Sequence, residues 1–533
     1  MKILVIGLDA ATMDLIEPWA AASHLPTLAR LIEEGVSARL ISTPNMHSAS
    51  AWTSILTGLG PGRHGLFVFS DRNFQTGRQE FFKGGDRAGE TIGSHLARHG
   101  LTSGFLNVPM TYPAEPAAGG FMVSGLDAPT LNEQAFRPVD LRRELLDRFP
   151  DYNFTPVGLG DLMSAGRVDR AVAAWMKLTE TQTAVAEYLT RSRPTDFFMT
   201  VYTASDWAGH NLWENSDRPN SALLSVYQAL DSAIARLLAS ANDQTQVYII
   251  SDHGMGRHTG ASYHLAAWLE AKGYMIRKRA TRKRPSLINA GRRAAKSLLP
   301  VTAKETIKSR LGADRVKRLQ TAEKDSFYSS IDWARTACYT EPGRHVINVN
   351  LAGRNAQGVV SRENYDEVLH RLIEDLSEWK DGRGNRVVER AVRRDEVYSG
   401  PFVERASDLY VYWNTEASMG EPPREVRARK FWWSGDHRPD GILICGGPGI
   451  RRGARLDSAS VCDLLPTVMR AAGLPVPNNL DGQVVEKLFA DEFLAAHPLR
   501  TDAAAQGGAA GREELSDAEE RMIEEKLRSL GYL

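Results

Sequence analysis

Lys2 to Leu8 is a short, apolar, β-branched run, and it predicts a buried parallel strand. Helical spacing follows in Met13, Leu15, Ile16, Trp19, Leu28 and Ile32. A second strand fits Ser37 to Ile41, and residues 52–57 read as a helix that Gly58 closes. Strand-like runs recur at Gly104 to Val108, Phe197 to Tyr202, Gln246 to Ser251 and Gly441 to Cys445. Amphipathic stretches around 167–191 and 218–239 lie between them. Strands that alternate with helices predict a doubly wound α/β sheet with helices on both faces. No internal repeat interrupts this order.

Two stretches break the pattern. Residues 277–318 are strongly basic, opening with Arg277-Lys278-Arg279 and Arg282-Lys283-Arg284 and opposed only by Glu305 and Asp314. The plain reading is a solvated cap segment. A sharper one is an anion-attracting rim, and apolar Leu287, Ile288, Leu298 and Leu299 beside Arg292, Arg293 and Lys296 also outline an amphipathic helix for an anionic membrane. Residues 502–511 are Ala/Gly-rich and read as a linker. Ser516-Asp517-Ala518-Glu519 is then a capping-box pattern, opening a helix with a Met522, Ile523, Leu527, Leu530 stripe. That helix is expected to dock on the body or on another subunit, so a homo-oligomer stays open.

At 533 residues the chain is too long for one simple core, which predicts one large catalytic domain with insertions. The divisions are a first core part (1–255), an inserted cap and basic region (256–434), a second core part (435–500) and a linker with C-terminal helix (501–533). Hydrophobic content of 42% and charged content of 24% are ordinary for a soluble enzyme. Formal net charge is zero, so nothing global favours nucleic acid or membrane, and neither partner is expected. Cys338, Cys445 and Cys462 are far apart and form no CxxC pair, which argues against a disulfide framework or a cysteine-rich zinc site. The amino-terminal apolar run is too short for a signal peptide, and no segment approaches about 20 apolar residues. A reduced, cytoplasmic protein is the expectation.

Candidate chemistry collects at strand ends. Asp9 ends the first strand, Asp206-Trp207-Ala208-Gly209-His210 follows Tyr202, Asp252-His253-Gly254 follows Ser251, and His437 precedes a strand. Open α/β sheets bind ligands outside the carboxyl ends of their strands, so such residues can converge. Imidazole and carboxylate together suit zinc and similar divalent ions, and six ligands make two sites with an open position each. Asp206 and His210 can meet on one ion if the segment turns helically. Singly, Asp9 reads as a cap, Asp252-His253-Gly254 as a turn and His437 as a surface histidine. The combination with a hydroxyl-rich segment, Pro44 to Gly58, carries the case. A hydroxyl at a loop-to-helix junction places a phosphate at the helix N-terminus, and a metal makes that hydroxyl a nucleophile. Ser48, Ser50 and Ser42 compete for this role. Arg344, His345, Trp432 and Trp433 flank candidate strand ends and are weaker candidates for lining the pocket.

These motifs carry a resemblance. Leu8-Asp9, Ser54-Ile55-Leu56-Thr57-Gly58, Pro61-Gly62-Arg63-His64-Gly65, Asn107 to Pro113, Asp206 with His210, Ser251 to Gly254, His437 to Gly441, Asp463 to Val468 and Leu530-Gly531-Tyr532 stand in the order of the alkaline phosphatase superfamily. The chain most closely resembles the type I phosphodiesterase/nucleotide pyrophosphatase branch, and within it bacterial predicted phosphohydrolases or phosphomutases. The resemblance implies an α/β/α sandwich with a central, mostly parallel sheet and a cap. It implies Ser48 as nucleophile, nine residues before Thr57. It assigns Asp206, His210 and His437 to one metal, and Asp9, Asp252 and His253 to the other, with Ser48 as that ion's further ligand. Zinc is the first expectation, manganese the other. Nucleotide pyrophosphatases place an Asn three residues after the nucleophile, where this chain has Ala51. Ser48-Ala49-Ser50-Ala51-Trp52 lacks the Arg of the sulfatase pattern, which argues against a sulfatase.

The implied activity is hydrolysis of a phosphodiester or pyrophosphate bond in a small molecule through a covalent Ser48 intermediate. The alternatives are a phosphomonoesterase or phosphomutase with the same site, and a non-catalytic binding protein of the same fold.

Overall fold

Strand Ile3–Leu8 lies at the centre of a nine-stranded sheet in the computed structural model. The structure describes all residues except 117–118, 157–158, 160–161, 163–165, 219, 279–326, 422, 424–432, 504–514 and 531–533. Most of the basic stretch 277–318, Trp432 and Gly531-Tyr532 therefore lie outside the described residues. Across the sheet the strands run Ala454–Ser460, Val36–Ile41, Asp440–Gly446, Gln246–Ile250, Ile3–Leu8, Phe197–Tyr202, Ser103–Val108, Phe121–Ser124 and Phe136–Arg137. Asp440–Gly446 is antiparallel to both neighbours, the edge strand Phe136–Arg137 is antiparallel to Phe121–Ser124, and the other pairings are parallel.

All six residues of Ile3–Leu8 are buried, as a strand covered on both faces must be. Because side chains alternate, Leu4, Ile6 and Leu8 join one apolar layer with Ile16, Trp175 and Tyr227, whereas Ile3 and Val5 join the opposite layer with Trp52, Phe105 and Leu465. Helices Met13–Ala21, Pro26–Glu34, Val168–Ser192 and Ala222–Leu238 cover the first face. Ser48–Thr57, Ile92–Arg98 and Leu464–Ala471 cover the second. The α/β/α sandwich is thus the observed fold.

Some boundaries differ from the sequence reading. The helical spacing from Met13 to Ile32 resolves into two helices, separated by a turn in which Ser23 has φ +61° and followed by Pro26 at the start of the second. The helix expected at 52–57 begins at Ser48 and runs to Thr57, closed by Gly58 in the left-handed region (φ +65°).

A separate apolar cluster gathers helix Ala261–Ala271, helix Tyr365–Ser377 and a four-stranded antiparallel sheet. That sheet runs Cys338–Tyr339, Val346–Val349, Leu409–Trp413, Val388–Arg393. It reaches the core at the Pro44–His47 loop: the Tyr412 hydroxyl donates to the Pro44 carbonyl at 2.7 Å, and the Tyr398 hydroxyl to Asn45 Oδ1 at 3.3 Å.

The C-terminal helix Asp517–Leu530 docks on the body of its own chain. Ile523 and Leu527 are buried with Ala49, Leu66, Phe69, Phe81, Met110 and Leu126, while Met522 of the expected stripe is exposed. The capping box forms, with the Glu519 amide donating to Ser516 Oγ and the Ser516 amide to Glu519 Oε2. No helix among the described residues is long and apolar enough to cross a membrane.

Candidate active site

Three adjacent parallel strands deliver the acidic residues to one edge. Ile3–Leu8 pairs with Phe197–Tyr202 on one side and Gln246–Ile250 on the other, with Leu8 opposite Tyr202 and Gly7 opposite Ile250. The residues just past these ends are Asp9, the helix Ala204–Leu212 bearing Asp206, and Asp252-His253. The turn after Asp9 puts Ala10 at φ +58°, an unfavourable region for a residue with a side chain, and its amide donates to Asp252 Oδ1 at 3.2 Å. His437 arrives from the other direction. It lies in strand Gly435–Arg438, paired with Gly254–Arg257 so that His437 stands opposite Met255. The chain then turns into the antiparallel Asp440–Gly446, whose beginning lies at the same edge.

Helical rise places Asp206 and His210 one turn apart, and their Oδ1 and Nε2 atoms are 3.3 Å apart. Gly435 packs so closely on that helix that a Cβ would sit 2.3 Å from the Gly209 carbonyl oxygen. No larger residue fits at that crossing.

Ser48 is the first residue of its helix, fully buried and directed into the acidic cluster. Its Oγ lies 3.1 Å from His253 Nε2 and 3.5 Å from Asp9 Oδ1. The N-cap is His47, whose Nδ1 accepts the Ala49 amide at 3.2 Å. Met46, just before it, has φ +47°. Of the rival hydroxyls, Ser50 is held within the loop by Asn45 Oδ1 and the His47 carbonyl, both at 2.8 Å. Ser42 Oγ is buried without a partner. Neither makes a hydrogen bond to the site carboxylates. Ala51 is buried in the helix and adds no polar atom.

The histidine rings have assigned roles. His210 Nδ1 faces the Gly435 carbonyl at 3.0 Å, His437 Nδ1 the Met46 carbonyl at 2.7 Å, and His253 Nδ1 the Gly254 carbonyl at 3.1 Å. A carbonyl only accepts, so each Nδ1 carries the proton and each Nε2 presents a lone pair. The Nε2 atoms of His210 and His437 are 2.9 Å apart, and each lies 3.3 Å from Asp206 Oδ1. His253 Nε2 faces Asp252 Oδ2 at 3.3 Å and Asp9 Oδ1 at 3.8 Å. Asp252 Oδ2 is buried with no hydrogen-bond donor. Ligand atoms of Asp9, Asp252 and His253 lie within 4.8 Å of one another, as do those of Asp206, His253 and His437. Lone pairs and carboxylate oxygens thus converge, with the Ser48 hydroxyl, the Trp52 indole and the Ala10 amide as donors at their margin, and imidazole with carboxylate is the ligand chemistry of a divalent cation site. The residues fit two such ions.

The electrostatics agree. Burial, then Asp252 and Asp206, push the Asp9 carboxyl well above the usual carboxylate range. Burial chiefly pushes Asp252 up to about 7. Asp206 is opposed by burial, but His210 and His437 in protonated form outweigh it and hold its carboxyl well below that range, and Asp206 in turn raises His210 against burial, so a positive charge, proton or cation, belongs among these three groups. Burial, with His437 adding, pushes His253 well below the ordinary imidazole value, so the ring is neutral and competent as a ligand. Carboxylates crowded in this way need a positive charge to ionise together.

The sequence matches the family profile "Type I phosphodiesterase / nucleotide pyrophosphatase" over residues 3–440. The chain belongs to that family. It is a branch of the alkaline phosphatase superfamily. No curated protein matches the chain. Among solved structures, a human ectonucleotide pyrophosphatase/phosphodiesterase 5 is similar at 12% identity and TM-score 0.49, covering 92% of this chain and 100% of that one. An inactive variant of the murine protein in complex with AMP has 11% identity, TM-score 0.50 and the same coverage. The second likeness concerns the fold alone.

In this phosphodiesterase-family chain, all seven residues singled out as nucleophile and ligands, Asp9, Ser48, Asp206, His210, Asp252, His253 and His437, lie together. Several participants were not legible. Trp52 Nε1 donates to Asp9 Oδ2 at 3.2 Å, and the Met46 and Gly435 carbonyls fix two histidine tautomers. Backbone acceptors carry no sequence signature. His47, adjacent to Ser48, could have been noticed. Trp433 stacks on His210 with ring centroids 3.9 Å apart and so lines the site. Arg344 pairs with Glu341 at 3.5 Å, and His345 points to Asp436.

Proposed function

We propose that the chain hydrolyses a phosphodiester or pyrophosphate bond in a small molecule, using two divalent metal ions and Ser48 as nucleophile. The hydrolase class follows from the family. One observation carries the rest: Ser48 Oγ, at a helix N-terminus, lies 3.1 Å from the Nε2 lone pair of His253 within the donor cluster. Asp9, Asp252 and His253 would hold one ion and Asp206, His210 and His437 the other, with zinc preferred for its affinity for imidazole and carboxylate. When bound, the ions lower the pKa of the Ser48 hydroxyl and neutralise charge on the phosphoryl and leaving oxygens.

The Ser48 hydroxyl gives up its proton and Oγ attacks phosphorus in line, forming an O–P bond as the bond to the leaving oxygen breaks and that oxygen takes up a proton. Water then attacks the same phosphorus and returns Ser48 as the hydroxyl. The positive end of helix Ser48–Thr57 faces the phosphoryl group throughout. Trp433 offers an aromatic face beside His210, apolar surface suited to the second ester group of a diester. The four-stranded antiparallel sheet acts as the cap, and it closes on the Pro44–His47 loop through Tyr412 and the neighbouring Tyr398.

The test compares turnover of bis(p-nitrophenyl) phosphate and p-nitrophenyl phosphate on metal-stripped protein resupplied with zinc or with manganese. Diester preference that chelation abolishes is the expected result. Monoester preference would replace this reading with a phosphatase or phosphomutase.

A further inference from the structure

Beside His437 stands a carboxylate that makes no direct contribution to the ligand set. Asp436 is 4% exposed, and its Oδ1 accepts the His437 amide at 3.0 Å. Two imidazoles converge on it. His345 Nε2 is 3.1 Å from Asp436 Oδ1, and His258 Nε2 is 3.7 Å from Asp436 Oδ2.

Both rings are locked from behind. The Trp413 indole N–H donates to His345 Nδ1 at 3.0 Å, and the Gly260 amide donates to His258 Nδ1 at 2.9 Å. A nitrogen that accepts cannot carry the proton, so in each neutral ring the proton sits on Nε2, the atom that faces Asp436. His258 Nε2 also lies 3.3 Å from Ser262 Oγ. His345 therefore donates to the Asp436 carboxylate, His258 stands 3.7 Å from its other oxygen, and the carboxylate in turn holds the amide of the His437 segment.

The two imidazoles come from different parts of the fold. His258 follows strand Gly254–Arg257, the pairing partner of the strand that bears Asp436 and His437. His345 precedes the cap strand Val346–Val349, Trp413 ends the cap strand Leu409–Trp413, and the Val411 amide donates to the His345 carbonyl at 2.8 Å. The cap sheet thus reaches the His437 segment through one hydrogen bond. On its other side, the His437 ring donates to the carbonyl of Met46, next to the loop residues that Tyr398 and Tyr412 hold.

We propose that His345, carried by the cap, is a positioning residue for His437, acting through Asp436, so that the ion site formed by Asp206, His210 and His437 depends on the seating of the cap. The proposal rests on the metal-ligand reading above. Strand Gly254–Arg257 stays paired with the strand of Asp436 and His437 whatever the cap does, and His258 stays near Asp436, so loss of His345 loosens that site without abolishing it. Partners one hydrogen bond removed from a ligand typically change metal affinity about 10- to 100-fold.

The experiment is competition of the full chain with a chromophoric chelator for zinc, without substrate, on wild type, His345→Ala, His345→Gln and Trp413→Phe. Wild type binds two ions. His345→Ala weakens one of them by about 10- to 100-fold and leaves the other unchanged. His345→Gln retains an N–H donor and recovers part of the loss. Trp413→Phe, which keeps the ring but frees the tautomer, shows a smaller loss at the same ion. If His345→Ala does not fold, the Gln and Phe variants carry the comparison. A wild type with two ions whose affinities are unmoved by all of these substitutions, or are lost equally for Ala and Gln, overturns the positioning role alone. A wild type that binds no zinc overturns the metal-ligand reading and this proposal with it.

Discussion

The rings of His210 and His437 are tilted 39° to one another and meet Nε2 to Nε2 at 2.9 Å, while the opposite nitrogen of each is committed to a backbone carbonyl. Two lone pairs at that distance repel unless a cation lies between them or a proton is shared. Asp206 Oδ1, 3.3 Å from both, adds negative charge at the same point. A cation site is the arrangement that satisfies all three groups.

Replacing His437 by Ala removes one corner of this triangle. Elemental analysis of the variant is expected to give one tightly held ion where the wild type holds two. Unchanged stoichiometry would remove His437 from the ligand set.

Replacing Ser48 by Ala leaves every carboxylate and imidazole in place. The variant is expected to keep both ions and lose diester turnover by at least about 10³-fold, because the bond-forming atom is gone. Wild-type activity in this variant would move the nucleophile elsewhere.

The acid limb of stability has an assignable contributor outside the site. His64 is fully buried, its Nδ1 accepting the Leu66 amide at 3.2 Å and its Nε2 3.0 Å from Ser54 Oγ. Burial, with Arg87 adding, lowers its pKa from 6.5 to about 3. Between those values the unfolded chain binds a proton that the folded chain does not. This contribution is complete above pH 6.5 and is lost as pH falls towards 3, with a limiting slope of about 1.4 kcal/mol per pH unit. Denaturant titrations should show a shallower decline between pH 6 and 5 for His64→Gln than for wild type, at about those pH values. Parallel declines would contradict the assignment.

The C-terminal helix is anchored by Ile523 and Leu527, 3% and 1% exposed, in a cluster that includes Ala49, the neighbour of Ser48. Leu527→Ala is expected to cost about 2–5 kcal/mol if unfolding remains one transition. If the helix undocks separately, limited proteolysis on its amino-terminal side quickens instead. A variant with neither change would show that this packing contributes little.

What the sequence disclosed follows from which signals have a period. Phe197–Tyr202 matches its expected span because a doubly covered strand is a bounded apolar run. Ser48–Thr57 was half hidden: its first four residues, Ser-Ala-Ser-Ala, are small and all ten are buried, so no polar face marks the helix. The strand Val388–Arg393 is only partly buried and carries charged residues, so no bounded apolar run marks it. The residues that converge at the site are legible because Asp and His at strand ends are conspicuous. His258, His345 and Asp436 were not connected, since only the fold brings residues so distant in sequence to one carboxylate.

The most direct test of the central claim is a zinc titration of metal-stripped protein, read by turnover of bis(p-nitrophenyl) phosphate. The account predicts no turnover without metal, a rise that levels off at two equivalents, and none at any zinc level in Ser48→Ala. Diester turnover that survives complete removal of metal, or that Ser48→Ala retains, would contradict it.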